Sequence, residues 1–234
     1  MANETEGNER NMNRTLKAIL LSAGLCSLPS LCFSAEVYNN AITPDPLGQQ
    51  YHPLPPDPAT LEFGDEINLS GIERTLTQYN FYYFFSGASV SAQNVTLSMY
   101  ANTGVAGAPA ASPFYTSDPF PLGIGFVNQT NTIDPALLNI TLPDTFTWTV
   151  KFSNLAPLET GGLLVYGPPR TGTSLDSFWQ NDGTAWRELQ LNNGATAANF
   201  GFAVAAVPEP GVLALGGLGA LLLAGLKRFR KAPR

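Results

Sequence analysis

The feature that most constrains the fold is the alternation in residues 145–152, TFTWTVKF. Phe146, Trp148, Val150 and Phe152 fall on one parity; Thr147, Thr149 and Lys151 fall on the other. Successive side chains of a strand point to opposite sides, so this segment reads as a strand with one face buried. VTLSMYAN repeats the device with Val95, Leu97 and Met99, and NFGFAVAA with Phe200, Phe202 and Val204. LEFGDEINLS, TLTQYNFYYFF, GLLVYG and AWRELQL are four further strand candidates with less regular alternation. Asn181-Asp182-Gly183 and Asn192-Asn193-Gly194 supply turns, because Asn, Asp and Gly adopt positive φ at little cost. DPALLN is the one stretch that suggests a helical turn, and no fixed-period repeat is present. Many short strands with almost no helix predict an all-β chain, an antiparallel, jelly-roll-like β-sandwich over residues 61–206.

Both ends read as addressing. Arg14 and Lys17 precede AILLSAGLCSLPSLCFSA, a basic region, a short apolar run and small residues, as in a secretory signal peptide over residues 1–35. Cleavage is expected after Ser34 or Ala35. The acids Glu4, Glu6 and Glu9 fit that role poorly, and Met12 makes a better start. Both cysteines, Cys26 and Cys32, lie in this presequence, each after a leucine, which argues against lipidation. The exported part then has no disulfide and no thiol chemistry. Residues 36–60 carry prolines at 44, 46, 53, 55, 56 and 58 and read as an extended arm.

Between Glu36 and Val207 there are fourteen acids and four bases, a net charge of −10. Such a surface repels phosphate backbones, so nucleic acid is not an expected partner. Five of the twelve bases lie instead in the last eight residues. They follow an apolar run over 211–226, which as a helix spans about 24 Å at about 1.5 Å per residue. The hydrocarbon core is about 30 Å thick, and long Lys and Arg stems close such a gap. The run lacks a polar face, and Lys227, Arg228, Arg230 and Lys231 act as a stop-transfer cluster kept on the cytoplasmic side. One transmembrane helix with the domain outside is the expectation.

Val207, Pro208, Glu209 and Pro210, followed by an apolar helix and a basic tail over 207–234, resemble the PEP-CTERM sorting signal. The resemblance implies recognition by an exosortase, an integral-membrane protease or transpeptidase, after a signal peptidase has removed the leader. It also implies a bacterial envelope rich in extracellular polysaccharide, as in biofilm. This chain would be the substrate, first anchored in the inner membrane, then at the cell surface or released. GDEINLSGIERTLTQYNFYYF, LPDTFTWTVKFSNL and GLLVYGPPRTGTSLDSFWQNDGTAWREL resemble exported choice-of-anchor domains of the R type. That likeness implies a β-rich body and supplies no site.

Chemistry-bearing residues are few. His52 stands alone, without a cysteine partner for a transition metal or a Gly-x-Ser-x-Gly elbow for a triad. Asp65-Glu66, Asp176 and Asp182 are the acids to weigh for a glycosidase pair, but adjacent strand residues face opposite ways, so Asp65 and Glu66 cannot pair alone. Asp176, Asn181 and Asp182 offer oxygen ligands for calcium, although a hairpin explains Asn181-Asp182-Gly183 without an ion. In YNFYYFF, Tyr79, Phe81, Tyr83 and Phe85 share the inward parity, while Tyr82 and Phe84 face out, under the arm or toward a sugar or partner. Trp179 and Trp186 flank the hairpin as a binding lip or a core corner. The expected function is a structural or binding module, not an enzyme, with no cofactor. A carboxylate-dependent polysaccharide-active enzyme and a permanently anchored membrane protein are the alternatives.

Overall fold

The computed structural model describes residues 33–41, 50–53, 62–87 and 92–209. Its strands are β1 (Ala35–Asn39), β2 (Gln50–Pro53), β3 (Glu62–Asn68), β4 (Thr75–Ser86), β5 (Asn94–Ala101), β6 (Tyr115–Thr116) and β7 (Phe120–Pro121). They continue with β8 (Gly125–Thr132), β9 (Thr145–Ser153), β10 (Thr160–Val165), β11 (Thr173–Asn181), β12 (Trp186–Gln190) and β13 (Phe202–Val207). The first sheet runs β1-β13-β4-β10-β2, with β8 along the other side of β4; the second runs β12-β11-β3-β9-β5, with β6 and β7 along the far edge of β5. All these pairings are antiparallel. From β3 to β5, and again from β8 to β11, each strand lies in the opposite sheet from the one before it, apart from the short β6 and β7.

The inward parity is as the sequence implies. Phe146, Trp148, Val150, Val95, Leu97, Met99, Tyr79, Phe81, Tyr83, Phe85, Phe200, Phe202 and Val204 are all buried in one core. Trp148 of the second sheet stacks on Phe202 of the first, with ring centroids 4.2 Å apart and planes 9° from parallel. Rings of this size each bury about 150–250 Å², which is how a domain without crosslinks gathers enough apolar burial. The irregular alternation of LEFGDEINLS has a cause: Phe63, Asp65 and Ile67 share the inward face, so a carboxylate takes a core position.

The proline-rich stretch departs from expectation. It is not only an arm, because β1 and β2 belong to the first sheet. Pro44 and Pro46 fall between these strands, and Pro53 ends β2 at the sheet edge, where a missing amide is tolerated. Asn40 fixes the stretch to the body: its Nδ2 donates to the Phe200 carbonyl (2.7 Å), and its Oδ1 accepts from the Phe202 amide (2.8 Å). DPALLN makes a single turn, with the Leu137 and Leu138 amides donating to the Asp134 carbonyl. Residues 1–32 of the expected signal peptide, and the apolar run 211–226 with its basic cluster, lie outside the described residues. Among the described residues no helix is long and apolar enough to cross a membrane.

Candidate functional site

The outer face of the first sheet combines rings and amides, with Glu36 of the edge strand β1, opposite Ala205, as its one carboxylate. Its six strands carry one carboxylate, Glu36, one imidazole, His52, and no Lys or Arg. Phe126 of β8 pairs with Phe84 of β4, which pairs with Gly162 of β10, which pairs with Pro53 of β2. Gly162, buried in the middle of this row, leaves no room for a side chain: a Cβ there would lie 2.1 Å from the His52 carbonyl oxygen. Tyr51 leans onto Phe84 with ring centroids 4.3 Å apart, and Phe126 lies 5.0 Å from Phe84 on its other side. One turn of the pleat further along, Tyr82 meets Tyr166 edge-on at 5.4 Å. Asn128, Thr130 and Thr132 of β8 and Gln78 and Asn80 of β4 continue the face, Gln78 Nε2 donating to Asn80 Oδ1 (3.1 Å). Phe126 is 47% exposed, and Tyr51, Tyr82 and Phe84 are half-buried.

The outer face of the second sheet closes on itself. Glu62 and Glu66 share one face of β3 with Gly64 between them. Tyr100 Oη and Asn181 Nδ2 donate to Glu62 Oε1 (2.8 and 3.3 Å), and Thr149 Oγ1 donates to Glu62 Oε2 (2.9 Å). Trp179 Nε1 donates to Glu66 Oε2 (3.1 Å), and Trp186 packs edge-on against Tyr100 at 5.1 Å. Thr147 and Thr149 face outward as their parity implies, yet both are fully buried. Trp179 and Tyr100 are also buried, so the tryptophans are neither an open lip nor a core corner but part of an outer layer. Burial beside Glu62 pushes the Tyr100 hydroxyl far above its ordinary range.

Among the described residues the remaining acids do not converge on a second carboxylate. Asp65 is fully buried with no hydrogen-bond partner at either oxygen; desolvation drives its carboxyl well above the usual range, against the pull of the nearby Phe200 and Glu66 backbone and the Ser174 hydroxyl. Ser174 itself donates to Asn199 Oδ1. Asp176 sits exposed in a bulge of β11, where residues 175–177 oppose Glu66 alone. Asp182 serves the hairpin between β11 and β12: it accepts from the Thr184 amide and hydroxyl and the Ala185 amide and pairs with Arg187 (2.8 Å). Those bonds hold its carboxyl down to about 2. Asn181 Oδ1 accepts from the Gly183 amide (2.8 Å), so Asn181 and Asp182, two of the three residues weighed for calcium, are engaged by the turn.

His52 faces inward among the rings of Phe63, Phe178 and Phe200, with Nε2 buried and without a partner. Among the described residues neither a hydroxyl nor a carboxylate bonds Nε2, and burial lowers the His52 pKa. It contributes to an open groove of about 890 Å³ between the β2 and β12 edges, shared with Gln180 and Glu188.

Of the residues expected to form a sorting motif, Val207 is the last residue of β13, hydrogen-bonded through its carbonyl to the Arg74 amide (3.2 Å). Pro208 and Glu209 follow it without further pairing, and Pro210 with Lys227, Arg228, Arg230 and Lys231 lies outside the described residues. No family model, curated protein or solved structure matches this chain. Sequence reasoning missed Glu62, although its parity with Gly64 and Glu66 was a usable signal. It also missed that Tyr51 and Phe126 extend the Phe84 row, since their pairing depends on strands far apart in sequence.

Proposed function

We propose that this chain is an exported β-sandwich module that binds neutral polysaccharide through the outer face of its first sheet and does no chemistry of its own. The observation that carries the reading is a row of rings flanked by amides, free of charge, on a domain of net charge −10. Flat rings offer apolar area at low entropic cost, amides offer donors and acceptors to hydroxyls, and a row without carboxylates does not need to be desolvated of charge. The alternation of the chain between sheets is in keeping with a jelly-roll-like path. Retardation in gels containing a neutral polysaccharide tests the binding: the protein should be slowed, and a Phe84→Ser, Phe126→Ser variant should migrate as in a plain gel. Equal retardation of both proteins would refute it.

The same proposal includes export by the N-terminal leader and sorting through Val207–Pro208–Glu209–Pro210, with an exosortase-type protease and signal peptidase as processing partners and the cell surface as destination. The tripartite tail of the sequence supports it. Intact mass of the protein from cells with and without that protease checks it: a shortened C-terminus only when the protease is present is expected, whereas a tail retained in both favours permanent anchoring. The catalytic alternative rests on Glu62 and Glu66, which share a face of β3. Polysaccharide turnover abolished by Glu66→Gln would favour it.

A further inference from the structure

We infer that the end of the sandwich from which the chain leaves β13 seats on the surface of a lipid bilayer, with Ile72, Val105, Leu137 and Leu138 as its apolar contacts. The inference rests on the membrane anchoring of 211–226 proposed above.

The register fixes which loops share this end. Val207 pairs with Thr75, so β13 ends where β4 begins. β8 reaches the same end at Thr132, beside Gln78, and the 133–144 connection stays there, with Leu142 N–H donating to the Arg74 carbonyl (2.7 Å). β3 ends at Asn68 beside Thr145, and the Leu69 amide donates to the Asp144 carbonyl (2.8 Å). β5 ends at Ala101 beside Phe146 and leads into the 102–114 loop. Three separate loops therefore meet at the exit of β13. Each presents an exposed aliphatic tip: Ile72 is 72% exposed, Val105 92%, Leu137 86% and Leu138 48%.

The distance to the proposed span is short. Four residue steps separate Val207 from Gly211, at most about 14 Å of extended chain. Headgroups occupy roughly 5–7 Å on each side of the hydrocarbon. A domain tethered so closely has this end against the lipid, and single apolar side chains suit the headgroup–acyl boundary. The charge of the end selects the lipid. Arg74 is paired with Asp144 (2.7 Å), while among the described residues Glu73 and Asp134 are engaged only with the Ile72 and Ala136 amides. The net local charge is negative, so the fit is to zwitterionic headgroups, not to anionic ones.

The test uses the full chain with Cys26→Ser and Cys32→Ser, leaving one introduced thiol for an environment-sensitive fluorophore. Ile72→Cys and Leu137→Cys report the proposed contact. Leu158→Cys, between β9 and β10 at the opposite end, is the control and is fully exposed in the fold. The proteins are inserted into phosphatidylcholine vesicles with or without headgroup-linked nitroxide. Emission from positions 72 and 137 should shift to shorter wavelength and be quenched, with position 158 unchanged, and anionic phosphatidylglycerol should reduce the shift. Insertion with 211–226 protected from protease, yet with all three positions reading as in water, overturns the inference and leaves the anchoring intact. A chain that stays in the aqueous fraction overturns both.

Discussion

On the outer face of β3, β9 and β11, Glu62 and Glu66 draw tyrosine, threonine, asparagine and tryptophan donors down onto the sheet. On the outer face of β4 and β8 there is no charge to gather donors, and Tyr82, Phe84 and Phe126 stay partly open. Both faces come from the same period-two pattern and back onto one core. A carboxylate leaving bulk water must be hydrogen-bonded, and charge-assisted bonds are strong enough to hold aromatic side chains in place. The lesson is that a few acids decide whether surface rings become structure or remain available to a ligand.

The comparison can be broken most severely at the layer both faces share. Trp148→Asp places a charge against Phe202 and should cost more than about 4 kcal/mol, unfolding the domain and removing both faces together in calorimetry. A variant with wild-type melting would mean that Trp148 is not inward. Next comes the closed face: Glu62→Ala strips three donors of their acceptor and should lower stability by about 1.5–3 kcal/mol in urea unfolding, leaving polysaccharide retardation unchanged. Loss of binding with stability intact would show the closed face to be the working one.

Asp65 sharpens the contrast between a charge that is served and one that is not. Its carboxyl is raised by burial, so the fold keeps the proton over a range where the unfolded chain releases it. Below about pH 4 both states are protonated and the fold is not penalised. As pH rises above that value stability declines, until the folded carboxyl itself ionises. The melting temperature should therefore carry a downward contribution from about pH 4 upward, and Asp65→Asn should remove it. Parallel profiles for the two proteins would mean that Asp65 is ionised in the fold. The smallest effect on stability belongs to the open face: Phe84→Ala with Phe126→Ala should cost less than about 1.5 kcal/mol, yet weaken polysaccharide binding about tenfold or more.

The inward faces of β4, β5, β9 and β13 were legible from alternation because parity alone assigns a side. Their neighbours were not, because β3 pairs with β9 and β11 across long loops that no local pattern encodes. Thr147 and Thr149 read as solvated and are outward, but Glu62 and Tyr100 close over them from other strands. β1 and β2 were hidden by neighbouring prolines, since the docking bonds of Asn40 are tertiary. Asp65 looked like half of an acid pair, and only its position between Phe63 and Ile67 on an inward face reveals a core carboxyl. Of the proposed binding row, Phe84 and Tyr82 were visible, whereas Tyr51 and Phe126 join it through sheet pairing.

Hydroxyl-radical footprinting of the full chain, with and without a saturating neutral polysaccharide, compares the two faces in one experiment. The account predicts protection of Tyr51, Tyr82, Phe84 and Phe126, with Trp186 and Tyr100 unchanged. Protection confined to Trp186 and its neighbours, or no protection of any ring by a polysaccharide that retards the protein, would contradict it.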